Sequence, residues 1–327
     1  MRIALVKTSS MGDVIHALPV VTDIVRALPQ AQVDWIVEEA FAELPALHPS
    51  VREVVPVAVR RWRRSPFASE TRREIAGLRK RLRSAGYQCV LELQGLLKSA
   101  WIGRMAGTPM AGFSRRCARE PLAALACRHR YDVDMSLHAI ERLRSLAAQA
   151  LGYRVEGLPV FGLAAPRDSV PGLPSPPYAL LLHATSRAEK LWPESCWREL
   201  IGRLADQGIA SALPWGSAEE RERAVALAGE GGRVAPQAAI PAVVLPRLTL
   251  RQCAAAIARA ELVVGVDTGL THLAAALDVP TVALFAATPA WRFGPYWTPR
   301  ATGLGEDGRW PDADEVLAAA ARVRATL

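Results

Sequence analysis

ELVVGVDTGLTHLAAALDVPTVALF, residues 261–285, reads as strand, tight turn, helix and second strand. Leu262 to Val266 is an apolar, β-branched run of the kind found in a parallel strand buried on both faces. Asp267-Thr268-Gly269 interrupts it, and Gly269 lets backbone approach a ligand closely. Helix formers follow from Leu270 to Leu277, and Pro280 sits where that helix must stop. A helix that begins just after a strand directs unpaired N–H groups and the positive end of its dipole out of the sheet's carboxyl edge, which suits an anion such as phosphate. An ordinary βαβ crossover with Asp267 as a helix cap fits this stretch equally well.

The same strand–turn–helix grammar extends outward in both directions. Behind this stretch, strands are expected over 178–182 and 211–213, and near 243–246, with helices from Pro193 to about 207, from Glu219, and from Thr249. The last helix is expected over 313–323, opening among acids suited to its N-terminus. Toward the N-terminus, RIALVK (2–7) is a first strand and 8–13 a polar turn, with a helix from about Val14 bent or restarted at Pro19. Further strands are expected at 33–37, 54–59 and 89–93, a long basic helix at 69–85, a loop at 115–121 and a helix at 138–150. Residues 157–177 hold six prolines and little periodicity, the clearest linker in the chain. Two α/β domains are therefore expected, 1–160 and 161–327, with the C-terminal helix free to pack back on the first.

The 327 residues carry a net charge of +8, all of it in the first half. Residues 1–165 hold 24 Lys+Arg against 15 Asp+Glu, whereas 166–327 hold 16 against 17. The excess is clustered, with RRWRR at 60–64, RKR at 79–81 and RR at 115–116. Such a field attracts a polyanion: nucleic acid, anionic lipid or a multiply acidic substrate. A bias toward Arg on solvated faces is the plain alternative, since Lys7, Lys80, Lys98 and Lys190 are the whole lysine complement. The five cysteines are scattered, without CxxC or metal-ligand spacing, which points to reduced thiols in a cytoplasmic protein. No apolar run is long enough to span a bilayer, so the chain is expected to be soluble or to rest on a membrane surface.

Several strand ends carry chemistry. Asp13 follows the first strand, where ligands of open α/β sheets bind, although a lone Asp in such a turn is also a natural helix cap. The 54–59 strand runs into Arg60, Arg61, Arg63 and Arg64, and LELQG leads into a helix bearing Lys98. Trp62 fits either a core anchor or a platform for a sugar ring. GxGxxG and GxxxxGK[ST] are both absent, so neither a dinucleotide fingerprint nor a P-loop is present. DVD at 132–134 and DAD at 312–314 lack a clear strand–turn context, and no metal is expected from them.

Eight stretches in order carry a family resemblance: VKTSSMGDVIHALP, VEEAFAELPALHPSV, VAVRRWRR, LQGLLKSA, REPLA, HATSRAEKLWPESCWRELI, LPWGSAEE and VDTGLTHLAAALDVP. Together they resemble the ADP-heptose glycosyltransferases of the lipopolysaccharide inner core, from Met1 to about Phe285. AATP at 286–289 departs from the family's Gly-Pro-Thr-type turn. The resemblance implies a GT-B fold, two Rossmann-like, doubly wound parallel-sheet domains facing a cleft. It implies transfer of L-glycero-D-manno-heptose from ADP-heptose to Kdo of Kdo2-lipid A, with inversion. The basic first half would bind the acceptor and the neutral second half the donor. The place would be the cytoplasmic face of the inner membrane, with an anionic membrane surface as partner and no nucleic acid. ADP-heptose would be a co-substrate, with no cofactor and no metal.

Inverting transfer needs a base for the attacking hydroxyl and positive partners for the departing diphosphate. Asp13 is the expected base, by its strand-end position and by resemblance, and Lys190 the expected cation. Donor contacts are expected from Thr185, Ser186, Lys190, Glu220 (ribose), Leu248 (adenine), Asp267 (heptose hydroxyls), Thr268, Gly269 and His272. Acceptor contacts are expected from Ser10, Arg60, Arg61, Arg63, Arg64, Gln94, Lys98 and Arg119. The rivals are heptosyltransferase II of the same family, disfavoured by KTSSMGD and LQGLLKSA, and a non-catalytic polyanion binder, which leaves the phosphate turn of the second half unexplained.

Overall fold

The apolar strand runs and the amphipathic helices between them assemble into two parallel sheets in a computed structural model, which describes residues 1–185, 187–229, 242–306 and 308–326. The chain divides into two compact units, Met1–Leu163 and Ala164–Leu327. The first contains β1 (Arg2–Val6), α1 (Met11–His16), α2 (Leu18–Ala27), β2 (Gln32–Glu38), β3 (Val51–Val57), α3 (Val59–Trp62), α4 (Ser69–Ser84), β4 (Cys89–Glu92), α5 (Leu97–Arg104), β5 (Met110–Phe113), β6 (His129–Tyr131) and α6 (Ala139–Leu151). The second contains β7 (Tyr178–Leu182), α7 (Glu194–Asp206), β8 (Ala210–Leu213), α8 (Ala218–Ala228), β9 (Ala242–Val244), α9 (Leu250–Ala258), β10 (Leu262–Val266), α10 (Gly269–Ala276), β11 (Thr281–Leu284), α11 (Ala290–Phe293), β12 (Ala301–Leu304) and α12 (Ala313–Ala325).

The first sheet runs β3-β2-β1-β4-β5-β6 and the second β12-β11-β10-β7-β8-β9. Every pairing is parallel. In each sheet the strand order reverses beside the unit's first strand, between β1 and β4 and between β7 and β10. Doubly wound sheets bind ligands at such switch points, outside the strands' carboxyl ends. Right-handed crossovers then sort the helices by direction of travel. In the first unit α4, α5 and the 3₁₀ turn Pro121–Ala126 share one core with Ala4, Val6 and Val90, while α2 packs with α6. In the second, α7, α8 and α12 share a core in which Trp192 and Trp197 meet edge to face at 4.9 Å. Two such indoles each withdraw about 150–250 Å² from water.

Four local readings are changed or decided. β3 stops at Val57, and Val59–Trp62 is a helical turn, because Glu38 accepts the Arg60 N–H at 2.9 Å and bends the chain. Trp62 is a core anchor: it is 6% exposed and its indole donates to Glu74 at 2.5 Å. Short β5 and β6 flank the basic loop and had no clear periodic signal, since MAGF and HRY are too brief to alternate. The C-terminal helix packs on the second unit, where Val316, Ala319, Ala320 and Val323 complete the core.

Candidate active site

At the first switch point, β1 delivers Lys7 and the turn Thr8-Ser9-Ser10 to the carboxyl edge. Asp13 sits in the first turn of α1, and its Oδ2 accepts both the Ser10 N–H (3.0 Å) and the Ser10 hydroxyl (2.9 Å). Oδ1 faces Lys7 Nζ at 3.8 Å and is otherwise uncommitted among the described residues. Burial opposes ionisation of Asp13, yet the Lys7 charge, the two Ser10 bonds and His16 outweigh it and bring the carboxyl down to about 2. Across the switch point, buried Glu92 accepts the N–H groups of Gln94 and Gly95 at 2.9 Å and so shapes the turn after β4. Gln94 then joins the two turns: its Oε1 accepts Thr8 N–H (2.8 Å) and Thr8 Oγ1 (2.7 Å), and its Nε2 donates to Ser9 Oγ (3.1 Å). Lys98 Nζ donates to the same Ser9 oxygen at 2.6 Å. Burial lowers the Lys98 pKa, with Glu38 opposing the shift and Arg60 and Arg63 adding to it. Gly95 has φ +68° and allows Arg119 to approach, since a Cβ there would stand 3.0 Å from the Arg119 nitrogen.

The second switch point gathers the loop after β7, the head of α10 and the turn after β11. Thr268 caps α10 without a side-chain hydrogen bond; Thr271 N–H turns back to Thr268 O (3.1 Å), and the N–H groups of Gly269 and Leu270 make no hydrogen bond among the described residues. Asp267, one residue earlier, is therefore not the cap. Its Oδ2 accepts Lys190 Nζ and the Thr288 hydroxyl (2.5 Å), and its Oδ1 meets His272 Nε2 at 3.1 Å. Burial would raise its pKa, but His272, Lys190 and Thr288 together hold it well below the usual carboxylate range. Lys190 is the last residue of the 3₁₀ turn Ala188–Lys190, and the segment beyond is fixed by Arg223, which donates to Trp192 O at 2.8 Å and to Glu194 at 2.9 Å. Gly265 lets β10 pass the helix, because a Cβ would lie 2.2 Å from Thr271 Oγ1. Beside this centre, Glu220 Oε2 accepts the N–H groups of Gly216 (2.6 Å) and Ser217 (3.3 Å), leaving Oε1 without a partner among the described residues.

The pattern of glycosyltransferase family 9 (heptosyltransferase) matches residues 75–317, most of the chain. The chain belongs to glycosyltransferase family 9. It is 49% identical over 300 residues to lipopolysaccharide heptosyltransferase 1 of Pseudomonas aeruginosa, covering 90% of this chain and 81% of that one. Among solved structures it resembles E. coli heptosyltransferase WaaC with ADP (TM-score 0.86, 40% identity) and with ADP-2-deoxy-2-fluoro heptose (TM-score 0.83, 40% identity). Each comparison covers 97% of this chain and 98% of that one. The two Rossmann-like sheets are those of the GT-B fold.

Within this family 9 chain, the structure gathers Ser10, Asp13, Gln94, Lys98 and the Arg119 backbone around the first switch point. Lys190, Asp267, Thr268, Gly269 and His272 gather at the second, with half-buried Thr185 in the loop after β7. Ser186 lies outside the described residues. Leu248 is half-buried past β9. Two expected acceptor contacts are committed elsewhere. Gln94 is 8% exposed, with its amide spent on Thr8 and Ser9, so it braces the turns. Arg61 pairs with Glu74 (2.9 Å) and Glu39 (3.3 Å) and ties α3 to α4. Arg60 lies over the Phe41 ring at 5.2 Å, and Arg63 and Arg64 are exposed. Sequence reasoning assigned no part to Lys7, Glu92 and Thr288. A charge closing or interrupting an apolar strand run was the available signal for Lys7 and Glu92; Thr288 had none.

Proposed function

We propose that this chain transfers L-glycero-D-manno-heptose from ADP-heptose to a Kdo hydroxyl of Kdo2-lipid A, with inversion at the anomeric carbon. The observation that carries the reading is the Lys190–Asp267–His272 cluster at the open head of α10, in a family 9 chain similar to an E. coli enzyme solved with ADP and a fluorinated ADP-heptose. The second unit holds the donor. Lys190, Thr185 and the N–H groups of Thr268 and Gly269 meet the diphosphate and stabilise its charge as the glycosidic bond breaks. Asp267, kept ionised, takes hydroxyls of the heptose, and the free oxygen of Glu220 takes the ribose. Leu248 forms a wall for adenine.

The first unit holds the acceptor. Asp13 Oδ1 receives the hydroxyl proton as the oxygen attacks from the face opposite the leaving group. A carboxylate held at about 2 is a weak base, so it takes the proton late, once the new C–O bond has acidified the hydroxyl. Ser10, Lys98, Arg60, Arg63, Arg64 and Arg119 bind the acceptor's carboxylates and phosphates. A lipid-borne acceptor places the reaction at the inner face of the inner membrane. The test is incubation with ADP-heptose and Kdo2-lipid A, then mass spectrometry of the lipid. A gain of one heptose with inverted anomeric configuration supports the reading. Transfer only to an acceptor that already carries heptose would assign the chain to the heptosyltransferase II step.

A further inference from the structure

The apolar run of β1 ends at Val6, and the residue after it is a lysine only 5% exposed. A lysine at that depth needs partners for its ammonium. Lys7 Nζ reaches from the end of β1 to the end of β4, donates to Leu93 O at 3.0 Å and stands 3.8 Å from Asp13 Oδ1. Buried Glu92, the register partner of Val6, feels the same charge. The ammonium is thus fixed across the first switch point and kept from solvent, so it acts on a substrate only through the groups it touches. Other charges also face Asp13. His16 does so from the end of α1, with its ring 5.9 Å from that of His138, the N-cap of α6. Half-buried Lys98 does so from α5, close to Arg60 and Arg63.

Burial already opposes a charge on Asp13. An acceptor bearing several carboxylates and phosphates makes this worse, because it draws on Lys98 and the exposed arginines and adds like charge around the carboxylate. A protonated Asp13 is no base. Lys7 lies beyond the acceptor's reach, and a buried charge is screened little by salt. We propose that Lys7 is a positioning residue reserved for Asp13: pinned to the end of β4, its ammonium keeps Oδ1 ionised and fixes where that oxygen stands while a polyanionic acceptor is bound. Lys98 and the arginines serve the acceptor, and Lys7 serves the base. That division of labour rests on the function proposed above; the hold of Lys7 on the Asp13 carboxylate does not.

The test uses the whole chain labelled at its aspartate carboxyl carbons, with the Asp13 NMR signal assigned by its loss in Asp13→Asn. From about pH 8 down to about pH 4.5 the wild-type signal should stay put, with or without acyl-free Kdo2-lipid A. In Lys7→Met, which keeps the length and removes the charge, it should move with the onset of protonation, and at higher pH once that acceptor is bound. Turnover is the second readout. Lys7→Met should lose about threefold to tenfold more kcat at about pH 5.5 than at about pH 8, whereas the wild type changes less than about twofold on that side. Lys7→Arg, which keeps the charge, should restore the flat profile. A brace with no electrostatic part would lower kcat by one factor at every pH, and that result would overturn the proposal. So would a Lys7→Met signal that titrates like the wild type's. Should Lys7→Met misfold, Lys7→Gln takes its place, and the wild type decides by itself if its Asp13 titrates above about pH 5 with acceptor bound, which would also overturn the proposal. A wild type that transfers no heptose would sink the function, and the acceptor-free titration would still judge Lys7.

Discussion

At Asp13, Oδ2 is committed to Ser10 and Oδ1 faces Lys7 at 3.8 Å, so the helix-capping and proton-accepting roles belong to different oxygens of one carboxylate. Asp13→Asn keeps the cap acceptor and removes the base. Its kcat should fall about 10²–10⁴-fold while ADP-heptose affinity, measured by calorimetry, stays near wild type. A kcat close to wild type would falsify the base assignment. Lys190 behaves differently because its ammonium is paired with Asp267 before any donor arrives. Lys190→Ala should weaken ADP binding roughly 10–100-fold, the worth of a charge-assisted hydrogen bond to phosphate, and lower kcat as well. Lys190→Arg should restore only part of each, since a planar fork does not replace a compact ammonium. Unchanged ADP affinity in Lys190→Ala would remove it from the donor site. Asp13 was expected from its strand-end position and the resemblance, Lys190 from the resemblance alone, and each lies in a turn at a switch point. Thr288 was not, because its bond to Asp267 joins turns after different strands, which no local pattern records.

The decisive elements are the strand-to-helix turns, and they show where sequence pattern stops. Leu262–Val266 is found as expected because an apolar β-branched run buried on both faces has few alternatives. The cap one residue later stays open in the sequence, since Asp267 and Thr268 are both good capping types and tertiary partners decide between them. Gly265→Ala tests this turn: its Cβ would crowd Thr271 Oγ1 at 2.2 Å and Leu182 Cβ at 2.9 Å, displacing the Thr271 bond to Val266 O. Overpacking of this kind should cost about 1–3 kcal/mol in denaturant unfolding and weaken ADP binding; a variant of wild-type stability would show that the turn yields freely. On α3 and the two residues after it, paired Gln substitutions at Arg60/Arg63 or Arg63/Arg64 should raise the acceptor KM about threefold to tenfold, less as salt rises, and leave the donor KM alone. Arg61→Gln should leave acceptor KM unchanged, because its guanidinium already serves Glu39 and Glu74. A shift in donor KM instead would reverse the assignment of the two units.

Across the molecule, two units with separate cores each carry a buried histidine that resists protonation. In the first, His48 Nδ1 accepts the Ser50 N–H at 3.1 Å and Nε2 lies 3.0 Å from Thr22 Oγ1, with Gly162 closing over the ring. Burial brings its pKa down to about 4. In the second, His183 at the end of β7 is brought down to about 4 by burial and the nearby Arg223 charge. The doubled grammar of strand, turn and helix made two units legible, but neither histidine could be recognised, because burial of a side chain in a turn or at a strand end depends on what elements of its own unit pack over it. The sign of the effect follows from proton counts. Between pH 6.5 and 4 the unfolded chain binds protons that the native histidines refuse, so stability falls as pH falls through that window. The depressed carboxylates Asp13 and Asp267 act below it, contributing fully above about 3.8 and losing their share as pH drops further. Each histidine should therefore cost roughly 2–3 kcal/mol at pH 4.5 relative to pH 7.5. Differential scanning calorimetry at the two pH values should show a marked fall in Tm for the wild type. His48→Asn/His183→Asn should shrink that fall, whatever its own Tm at pH 7.5. An undiminished pH dependence in the double variant would place the acid sensitivity on other groups.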